Sequence, residues 1–373
     1  MVAVFVLWWY NQSMVRYVDT FSGIGGFSLG IHSVLGDEAK CVLAIDYDKN
    51  VSETFFNNFG INSYGNIREL EVQNIPDHDI IFGGFPCQPF SRNGKWFNKN
   101  DKTIGEQEER DNLFLELVRI LVAKKPKYFV FENVKGLLSM KNMDGSSCFD
   151  TIVQNLNEAG YDVHTKLLDA VDFGVPQQRE RIFFVGIRSD LKQEFKFPTP
   201  SPIGPQSIED ILEKKVSDKY LISNLWKKRT ILGGGPNSGP GKKNHDFPNG
   251  HSRYEVIKWL YEDNSKKPTQ PTGKIESVAI LYGDTPSGLP RQQDKIYSVN
   301  GISPTIATFS TPAVDSKQGL RQLTPRECAR LQGFPETYIF PQKDAVAYKQ
   351  IGNAVAVPVI AAIVKQLLGD KND

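Results

Sequence analysis

The sequence predicts an α/β protein with a mostly parallel sheet and a smaller, loop-rich second region. In the first half of the chain, short apolar runs alternate with amphipathic stretches of helix length. Polar and reactive residues gather where the apolar runs end, which is where open α/β sheets place their chemistry. After Arg188 this alternation gives way to a proline-marked linker and a polar, glycine-rich region.

Two periodicities define the elements. Short apolar runs predict strands at 15–19, 41–46, 80–83, 128–132, 162–169 and 181–187. Apolar residues at three- and four-residue spacing predict helices at 27–35, 50–58, 113–124 and 149–160. Two further helices are predicted, at 324–332 and at 348–368, the second interrupted by Pro358.

Length and composition set broad limits. The 373 residues suffice for one large core and a second, smaller domain, and 40% hydrophobic with 23% charged residues is typical of a soluble enzyme. The net charge of +1 neither indicates nor excludes a polyanionic partner. Four widely spaced cysteines lack the pattern of a zinc site or a disulfide framework, which favours a reducing cytoplasm and no metal.

The first residues carry an apolar run, 1–10, that is too short to span a bilayer and lacks the features of a secretion signal. A strand-like run begins immediately after Met14. We therefore expect Met14 to be the native start and 1–13 to be an extension, with an ordered N-terminal extension as the alternative.

A glycine loop, Asp19–Gly26, connects the first predicted strand to the first predicted helix. Glycines there permit a tight turn and let a ligand approach the N–H groups at the helix N-terminus. Asp46 ends the next strand, at the distance where a carboxylate can accept hydrogen bonds from a ribose. Ser28 replaces the third glycine of a dinucleotide motif, so an adenosyl ligand without pyrophosphate fits better, and a purely structural turn is the alternative.

A second loop, 83–91, reads Gly-Gly-Phe-Pro-Cys-Gln-Pro-Phe-Ser and follows an apolar strand. Cys87 stands between two prolines, which stiffen the loop and can position a nucleophile. The alternatives are a small buried side chain and a Cys–His hydrolase. The five histidines show no hydrolase signature.

A carboxylate and two arginines follow further along the chain. Glu132 stands at the end of an apolar strand, and glutamate is rarely buried there without a partner or a task. Arg179 and Arg181 would share a face if that segment is extended. A surface ion-pair network is the alternative interpretation of the two arginines.

In this order, these elements resemble the C5-cytosine DNA methyltransferase family of the prokaryotic restriction-modification type. The resemblance runs through 19–30, 83–91, 131–134 and 177–181 and continues in 321–335 and 348–355. It leaves out roughly 190–320, where the family keeps its variable target-recognition region.

The resemblance implies roles for individual residues. Cys87 corresponds to the nucleophile that adds to C6 of cytosine, Glu132 to the group that binds the N3 and N4 edge, and Arg181 to the contact with O2. Arg179 belongs to the same catalytic set and frames that contact. The S-adenosylmethionine pocket is expected to include Phe21, Gly23, Gly25, Asp46, Tyr47, Asn66, Ile67, Pro86, Leu113, Asn353 and Val355. Asn66 is a departure, because the family often has Asp at this position.

The resemblance also implies an organisation. We expect a Rossmann-like S-adenosylmethionine-dependent methyltransferase fold formed by 14–190 and 347–373, with a target-recognition domain at 191–346. The polar segment 91–112 is expected to close over DNA as a lid. Candidate contacts to bases or phosphates in the recognition region are Arg229, Lys242, Lys243, Arg253 and Arg291.

The expected partners are double-stranded DNA with a short cytosine-bearing target and a cognate restriction endonuclease that forms no stable complex. We expect a monomer in the cytoplasm without membrane contact. A tRNA cytosine-5 methyltransferase and a catalytically silent nucleic-acid-binding regulator are the alternatives. The long region at 190–320 favours DNA, because reading a base sequence requires such a domain. A nicotinamide oxidoreductase is disfavoured by Ser28.

Overall fold

A six-stranded sheet forms the centre of the first region. The computed structural model describes residues 14–86, 113–142, 145–201, 203–222, 257–259, 270–281, 295–308 and 311–369. The strands of this sheet are β1 (Val15–Thr20), β2 (Ala39–Ile45), β3 (Ile80–Gly83), β4 (Tyr128–Val134), β5 (Tyr161–Asp169) and β6 (Glu180–Arg188). All six predicted strands are present, with ends that differ by no more than about two residues, the usual uncertainty of a strand end.

The sheet has the order β2-β1-β3-β4-β6-β5. The strands β2, β1, β3 and β4 are parallel, whereas β6 runs antiparallel between β4 and β5. The carboxyl ends of β1, β3 and β4 therefore meet at one edge, and the antiparallel β6 begins at that same edge. This confirms the prediction of an α/β fold with a mostly parallel sheet.

Helices cover both faces of the sheet, which explains why its strands read as continuous apolar runs. The helices of the first half are α1 (Gly26–Leu35), α2 (Lys49–Phe59), α3 (Leu113–Lys124) and α4 (Cys148–Glu158). One core cluster contains Phe82 and Val130, and a second contains Ile81 and Phe131 on the other face. Alternate residues of a strand thus enter opposite cores, which fixes the register of the sheet.

The last described helices are α5 (Pro325–Leu331), α6 (Asp344–Asn353) and α7 (Val357–Leu368). The prediction of one helix at 348–368 is corrected. The helical structure is interrupted at 354–356, and Pro358 lies in the first turn of α7. The stretch Asp344–Leu368 is long and apolar enough to cross a membrane, but 61% of its most apolar window is buried inside the protein. This stretch is therefore part of the protein core. The helix α7 packs on α1, and a Cβ at Gly30 would lie 2.5 Å from Ile360.

A second sheet of five short strands lies in the region that the sequence describes as loop-rich. Its order is β11-β10-β9-β8-β7. The strands are β7 (Ile257–Trp259), β8 (Ser277–Leu281), β9 (Lys295–Ser298), β10 (Ala313–Ser316) and β11 (Gly319–Gln322). Each has three to five residues, too few for a clear alternation in the sequence.

A third core cluster joins the two regions. It brings Ile24 of the glycine loop together with Tyr297 of β9, Cys328 of α5 and Ile351 of α6. Several of the sequence-based expectations concern residues outside the described part of the chain. They are the extension at 1–13, Cys87, the lid at 91–112, and the cationic residues Arg229, Lys242, Lys243, Arg253 and Arg291.

Candidate active site

An ion pair between Glu132 and Arg181 lies where β4 ends and β6 begins. In the antiparallel register Glu132 stands opposite Phe183 and Val134 stands opposite Arg181, so the two charged residues are diagonal neighbours on one face. Arg181 Nε lies 2.9 Å from Glu132 Oε1, and the side chains are 17% and 14% exposed. Neither is sealed off, so a ligand can reach both the carboxyl group and the guanidinium group.

The loop that follows β3 runs directly past this pair. A Cβ at Gly84 would lie 3.6 Å from Glu132 Oε2. The buried Asn133 donates from Nδ2 to the carbonyl oxygen of Phe85 at 3.2 Å, which ties the loop to β4. Pro86 is the last described residue of the loop and is partly buried. Cys87, the nucleophile expected from the sequence, follows Pro86 in the chain and lies outside the described residues.

Arg179 is not at the same surface as Arg181. It is 3% exposed and donates to the carbonyl oxygens of Ile306 at 3.2 Å, Gly352 at 3.1 Å and Ala354 at 2.7 Å. Burial lowers the pKa of Arg179, and the positive charge of Arg181 lowers it further. Arg179 directly precedes β6, which begins at Glu180, and its guanidinium is held by backbone carbonyl groups, whereas Arg181 pairs with Glu132.

The glycine loop has a left-handed backbone at alternate positions. Phe21, Gly23 and Gly25 have φ values of 50°, 52° and 80°. Such a φ is uncommon for a phenylalanine, and strain of this kind is concentrated at ligand sites. Gly23 donates its backbone N–H to Asp46 Oδ2 at 2.9 Å. The loop is thereby fixed to the end of the neighbouring strand.

Asp46 organises the edge of the sheet beside that loop. Its Oδ1 accepts from the backbone N–H of Asp48 at 2.9 Å, so each carboxyl oxygen holds one backbone group. Burial raises the pKa of Asp46, and these backbone hydrogen bonds oppose the shift. Tyr47 beside it is 79% exposed. A half-buried acceptor and an accessible aromatic ring therefore lie side by side, as a ribose and an adenine would require.

The other expected pocket residues occupy three places. Ile67 is buried at 4%, and Leu113 packs against the same core cluster. Asn66 is exposed; its Oδ1 accepts from the N–H of Arg68 at 3.2 Å and its Nδ2 donates to Glu69 at 3.1 Å. Asn66 Oδ1 is thus an acceptor near the surface, with one of its two lone pairs used by Arg68.

The third place is the chain between α6 and α7. Asn353 is exposed and Val355 is 7% exposed. A Cβ at Gly26 would lie 2.7 Å from Val355 Cγ1, so the start of α1 touches this turn directly. The structure therefore brings the glycine loop and the 353–355 segment together although they lie far apart in sequence.

Two features of the site are absent from the sequence analysis. The hydrogen bond from Asn133 to Phe85 ties the described part of the loop after β3 to β4, and a polar residue next to Glu132 in an apolar strand was a usable signal for it. Thr308, which bonds Asn353, gave no signal in the sequence. Among the described residues, no group of three or more His, Cys, Asp or Glu side chains could hold a metal ion.

Comparisons with known proteins identify the family of the chain. The family model of C-5 cytosine-specific DNA methylases matches residues 15–369. Type II methyltransferase M1.ScrFI of Lactococcus lactis subsp. cremoris is 36% identical over 364 residues, which is 96% of this chain and 79% of that protein. Type II methyltransferase M.NlaX of Neisseria lactamica is 36% identical, with 95% and 96% covered.

The fold is also similar to that of a solved structure. The crystal structure of a Spodoptera frugiperda DNMT2 mutant matches with a TM-score of 0.63 and 21% identity over 95% of this chain and all of that one. The family match and the named relatives favour DNA methylation over the RNA, regulator and oxidoreductase alternatives, and the family uses S-adenosylmethionine in general. The chain therefore belongs to the C-5 cytosine-specific DNA methylase family and is a DNA (cytosine-5)-methyltransferase of the restriction-modification type.

Proposed function

We propose that this enzyme transfers the methyl group of S-adenosylmethionine to C5 of a cytosine flipped out of a short double-stranded target. Transfer proceeds through a covalent bond between Cys87 Sγ and C6 of that cytosine. The observation that carries the proposal is the accessible pair of Glu132 and Arg181 beside the anchored loop that leads into Cys87. A carboxyl group and a guanidinium on one face match the N3–N4 edge and O2 of a cytosine.

The chemistry explains why these groups are needed together. C5 of cytosine is a weak nucleophile, and addition of the Cys87 thiolate to C6 makes C5 enamine-like. Negative charge develops on the ring during this addition, and Arg181 at O2 with a protonated Glu132 at N3 stabilises it. C5 then attacks the methyl carbon and the sulfonium bond breaks. The C5 proton leaves to a base such as water, and the bond between Sγ and C6 breaks to release the product and the free thiolate.

The residues at the edge of the sheet fit the methyl donor. Asp46 would accept from the ribose hydroxyls, Tyr47 and Ile67 would enclose the adenine, and Asn66 would accept from its amino group. Ser22 Oγ is buried in the glycine loop without a hydrogen-bond partner among the described residues, which leaves a donor for a ligand there. The other expected members of this pocket are Phe21, Gly23, Gly25, Pro86, Leu113, Asn353 and Val355. When bound, S-adenosylmethionine supplies an activated methyl group.

Arg179 acts from the interior in this proposal. Its three carbonyl partners belong to the segments on either side of the site, so it frames the contact made by Arg181 without touching the cytosine. We assign it a positioning role. Its replacement would change the site through the backbone that it holds.

The reaction requires the target base to leave the DNA stack, at a cost of a few kcal/mol. We assign substrate reading to 191–346, and catalysis with donor binding to 14–190 and 347–373. The core shared by Ile24, Tyr297 and Ile351 supports a close junction between these parts. A cognate restriction endonuclease acting without a stable complex, a monomeric state and a cytoplasmic location complete the proposal and rest on the family.

Methylation of plasmid DNA with labelled S-adenosylmethionine, followed by bisulfite sequencing, tests the function. Protected cytosines in one short context are expected, and they would also give the target sequence. Label in tRNA alone would contradict the DNA substrate, and label in neither would contradict catalysis. Cys87→Ala should abolish turnover while DNA binding persists, so measurable activity in this variant would sink the covalent route.

A further inference from the structure

A short segment links the second sheet to the chain that leads into β6. This linking segment, residues 303–308, follows β9 and lies against the chain that precedes β6. The backbone N–H of Gln178 donates to the carbonyl oxygen of Ser303 at 2.8 Å, and the N–H of Ile306 donates to Gln177 Oε1 at 2.9 Å. The linking segment is therefore fixed to the catalytic region at both of these points, once through the backbone of Gln178 and once through the side chain of Gln177.

The same segment is fastened to the turn between α6 and α7. This C-terminal turn, residues 351–355, offers the carbonyl oxygens of Gly352 and Ala354 to Arg179, which also donates to the carbonyl oxygen of Ile306. One guanidinium thus bridges the linking segment and the C-terminal turn. Because all of these bonds are buried, losing one would leave an unpaired polar group and is costly.

Two buried glutamines strengthen this junction. Gln332 donates from Nε2 to the carbonyl oxygen of Ile351 at 3.1 Å. Gln177 donates from Nε2 to the carbonyl oxygen of Leu331 at 2.7 Å while its Oε1 holds the linking segment. Gln177 and Gln332 are both 0% exposed. The junction is a connected polar network, and such networks hold their members in one arrangement.

The closest approach occurs at Gly352. A Cβ there would lie 2.8 Å from the carbonyl carbon of Ala307 and 2.9 Å from the backbone nitrogen of Thr308, so only glycine permits this contact. Beside it, Thr308 Oγ1 donates to Asn353 Oδ1 at 2.8 Å. This bond sets the direction of the amide: Oδ1 is held by Thr308, and the two N–H groups of Nδ2 point elsewhere.

We propose that Thr308 is a positioning residue for the methyl-donor pocket, which orients Asn353 from the target-recognition side and makes donor affinity depend on DNA engagement. The inference rests on the proposed function, in which Asn353 belongs to that pocket. With its oxygen occupied, Asn353 presents a donor, which suits an acceptor such as the carboxylate of the methyl donor. A DNA-induced shift of the linking segment would reach the side-chain amide of Asn353 through the Thr308 hydroxyl, and the coupling is reciprocal by linkage.

Calorimetric titration of the full chain with S-adenosylhomocysteine tests this, with and without a duplex that carries the target. Three variants are compared with the unaltered protein: Thr308→Val, which removes only the hydroxyl; Thr308→Ser, which keeps it; and Thr165→Val, an exposed threonine on β5, as matched control. Thr308 is only partly buried, so its replacement should leave the fold intact. Thermal melting of each variant checks this.

For the unaltered protein we expect the Kd for S-adenosylhomocysteine to fall several-fold when DNA is present. Thr308→Val should raise the Kd without DNA by about 3- to 10-fold, as expected for one lost hydrogen bond, and bring the ratio of the two Kd values close to one. Thr308→Ser and Thr165→Val should behave like the unaltered protein.

Three results would overturn the inference. They are an unaltered protein whose two Kd values agree, a Thr308→Val variant with an unchanged ratio, and a Thr308→Ser variant that fails as the valine does. If the unaltered protein binds no S-adenosylhomocysteine at all, the proposed function itself is wrong, and the inference is overturned with it. The two failures are therefore distinguishable.

Discussion

Each of the two sheet regions contains an Arg–Glu ion pair, and the two pairs differ in almost every respect. Near the second sheet, Arg321 and Glu327 are 1% and 0% exposed and form a bidentate pair with both distances at 2.7 Å. Glu327 also accepts from the backbone N–H groups of Glu213 and Thr324. In the first region, the pair of Glu132 and Arg181 has one close contact and both side chains are accessible.

The same two residue types can therefore stabilise the fold in one place and, in the proposed function, contact the substrate in another. A sealed pair satisfies every acceptor of its carboxylate within the protein and has nothing left for a ligand. An open pair holds its two groups in register and leaves them available. The comparison yields four predictions.

The largest effect on stability is expected for Glu327→Gln in the sealed pair. It leaves the Arg321 guanidinium buried without its counter-charge, and breaking such a pair costs about 3–5 kcal/mol. Urea denaturation measures the loss in free energy of unfolding. The matched control is Glu336→Gln in the exposed pair with Arg330, where a loss below about 1 kcal/mol is expected. Equal losses in the two variants would remove the distinction between sealed and exposed pairs.

The next effect concerns catalysis and belongs to the open pair. Glu132→Ala removes the group that we propose binds N3 of the cytosine, and kcat should fall by about 10²–10³-fold. The melting temperature should change less than kcat, because Glu132 is only partly buried, near the carboxyl end of β4. Glu180→Ala serves as control, since Glu180, the first residue of β6, forms an ion pair with the exposed Lys135. A kcat that falls equally in both variants would contradict a specific role for Glu132.

A third carboxyl group, that of Asp19, differs from both of these because it has no cationic partner among the described residues. Asp19 is 0% exposed, accepts from Ser28 Oγ at 2.6 Å, and occurs in no ion pair among the described residues. Burial raises the pKa of Asp19 from 3.8 to about 7, and the hydrogen bonds from Ser28 oppose the shift. Between these two pH values the folded protein holds a proton that the unfolded chain releases. Stability should therefore fall as the pH rises from about 4 to about 7.

The measurement is the free energy of unfolding across this pH range for the unaltered protein and for Asp19→Asn. The asparagine keeps the hydrogen bond but cannot ionise, so the difference between the two should change by roughly 1–3 kcal/mol in the stated direction. Ser28→Ala removes a side-chain hydrogen bond that lowers the pKa of Asp19, so the midpoint of this pH-dependent loss of stability should move to a higher pH. Parallel pH curves for the unaltered protein and Asp19→Asn would show that Asp19 does not titrate in this range.

The smallest effect is expected at the helix cap next to the sealed pair. Thr324 caps α5: its hydroxyl accepts from the N–H of Glu327 at 3.1 Å. Thr324→Ala should lower the free energy of unfolding by about 1 kcal/mol, as for other caps, and Thr324→Ser should restore it. A loss as large as that of Glu327→Gln would mean that the cap and the pair act as one unit.

The sequence predicts the first region far better than the second. The strands β3 and β4 are buried on both faces, so their apolar runs stand out. Glu132 lies near the end of β4 and the glycine loop follows β1, as expected. The strands of the second sheet are half-polar and very short, as in Lys295–Ser298, and such segments resemble loops.

The destination of a side chain near a strand end was the hardest feature to predict. Arg179 and Arg181 are two residues apart, yet one is held by carbonyl groups of distant segments and the other reaches the accessible site. Periodicity describes residues within a strand. It cannot tell where a strand begins, and here the first strand residue, Glu180, stands between the two arginines.

The packing of α7 on α1 has a consequence for synthesis. The core cluster that contains Tyr17 and Ile31 is completed by Ile360 and Ile363, which leave the ribosome roughly 330 residues later. At about 5–20 residues per second this delay amounts to tens of seconds. During that time the first strand and helix lack their final packing partner, and residues 353–355, one side of the proposed donor pocket, have not yet been synthesised. A ribosome that stalls early would therefore release chains that cannot methylate DNA.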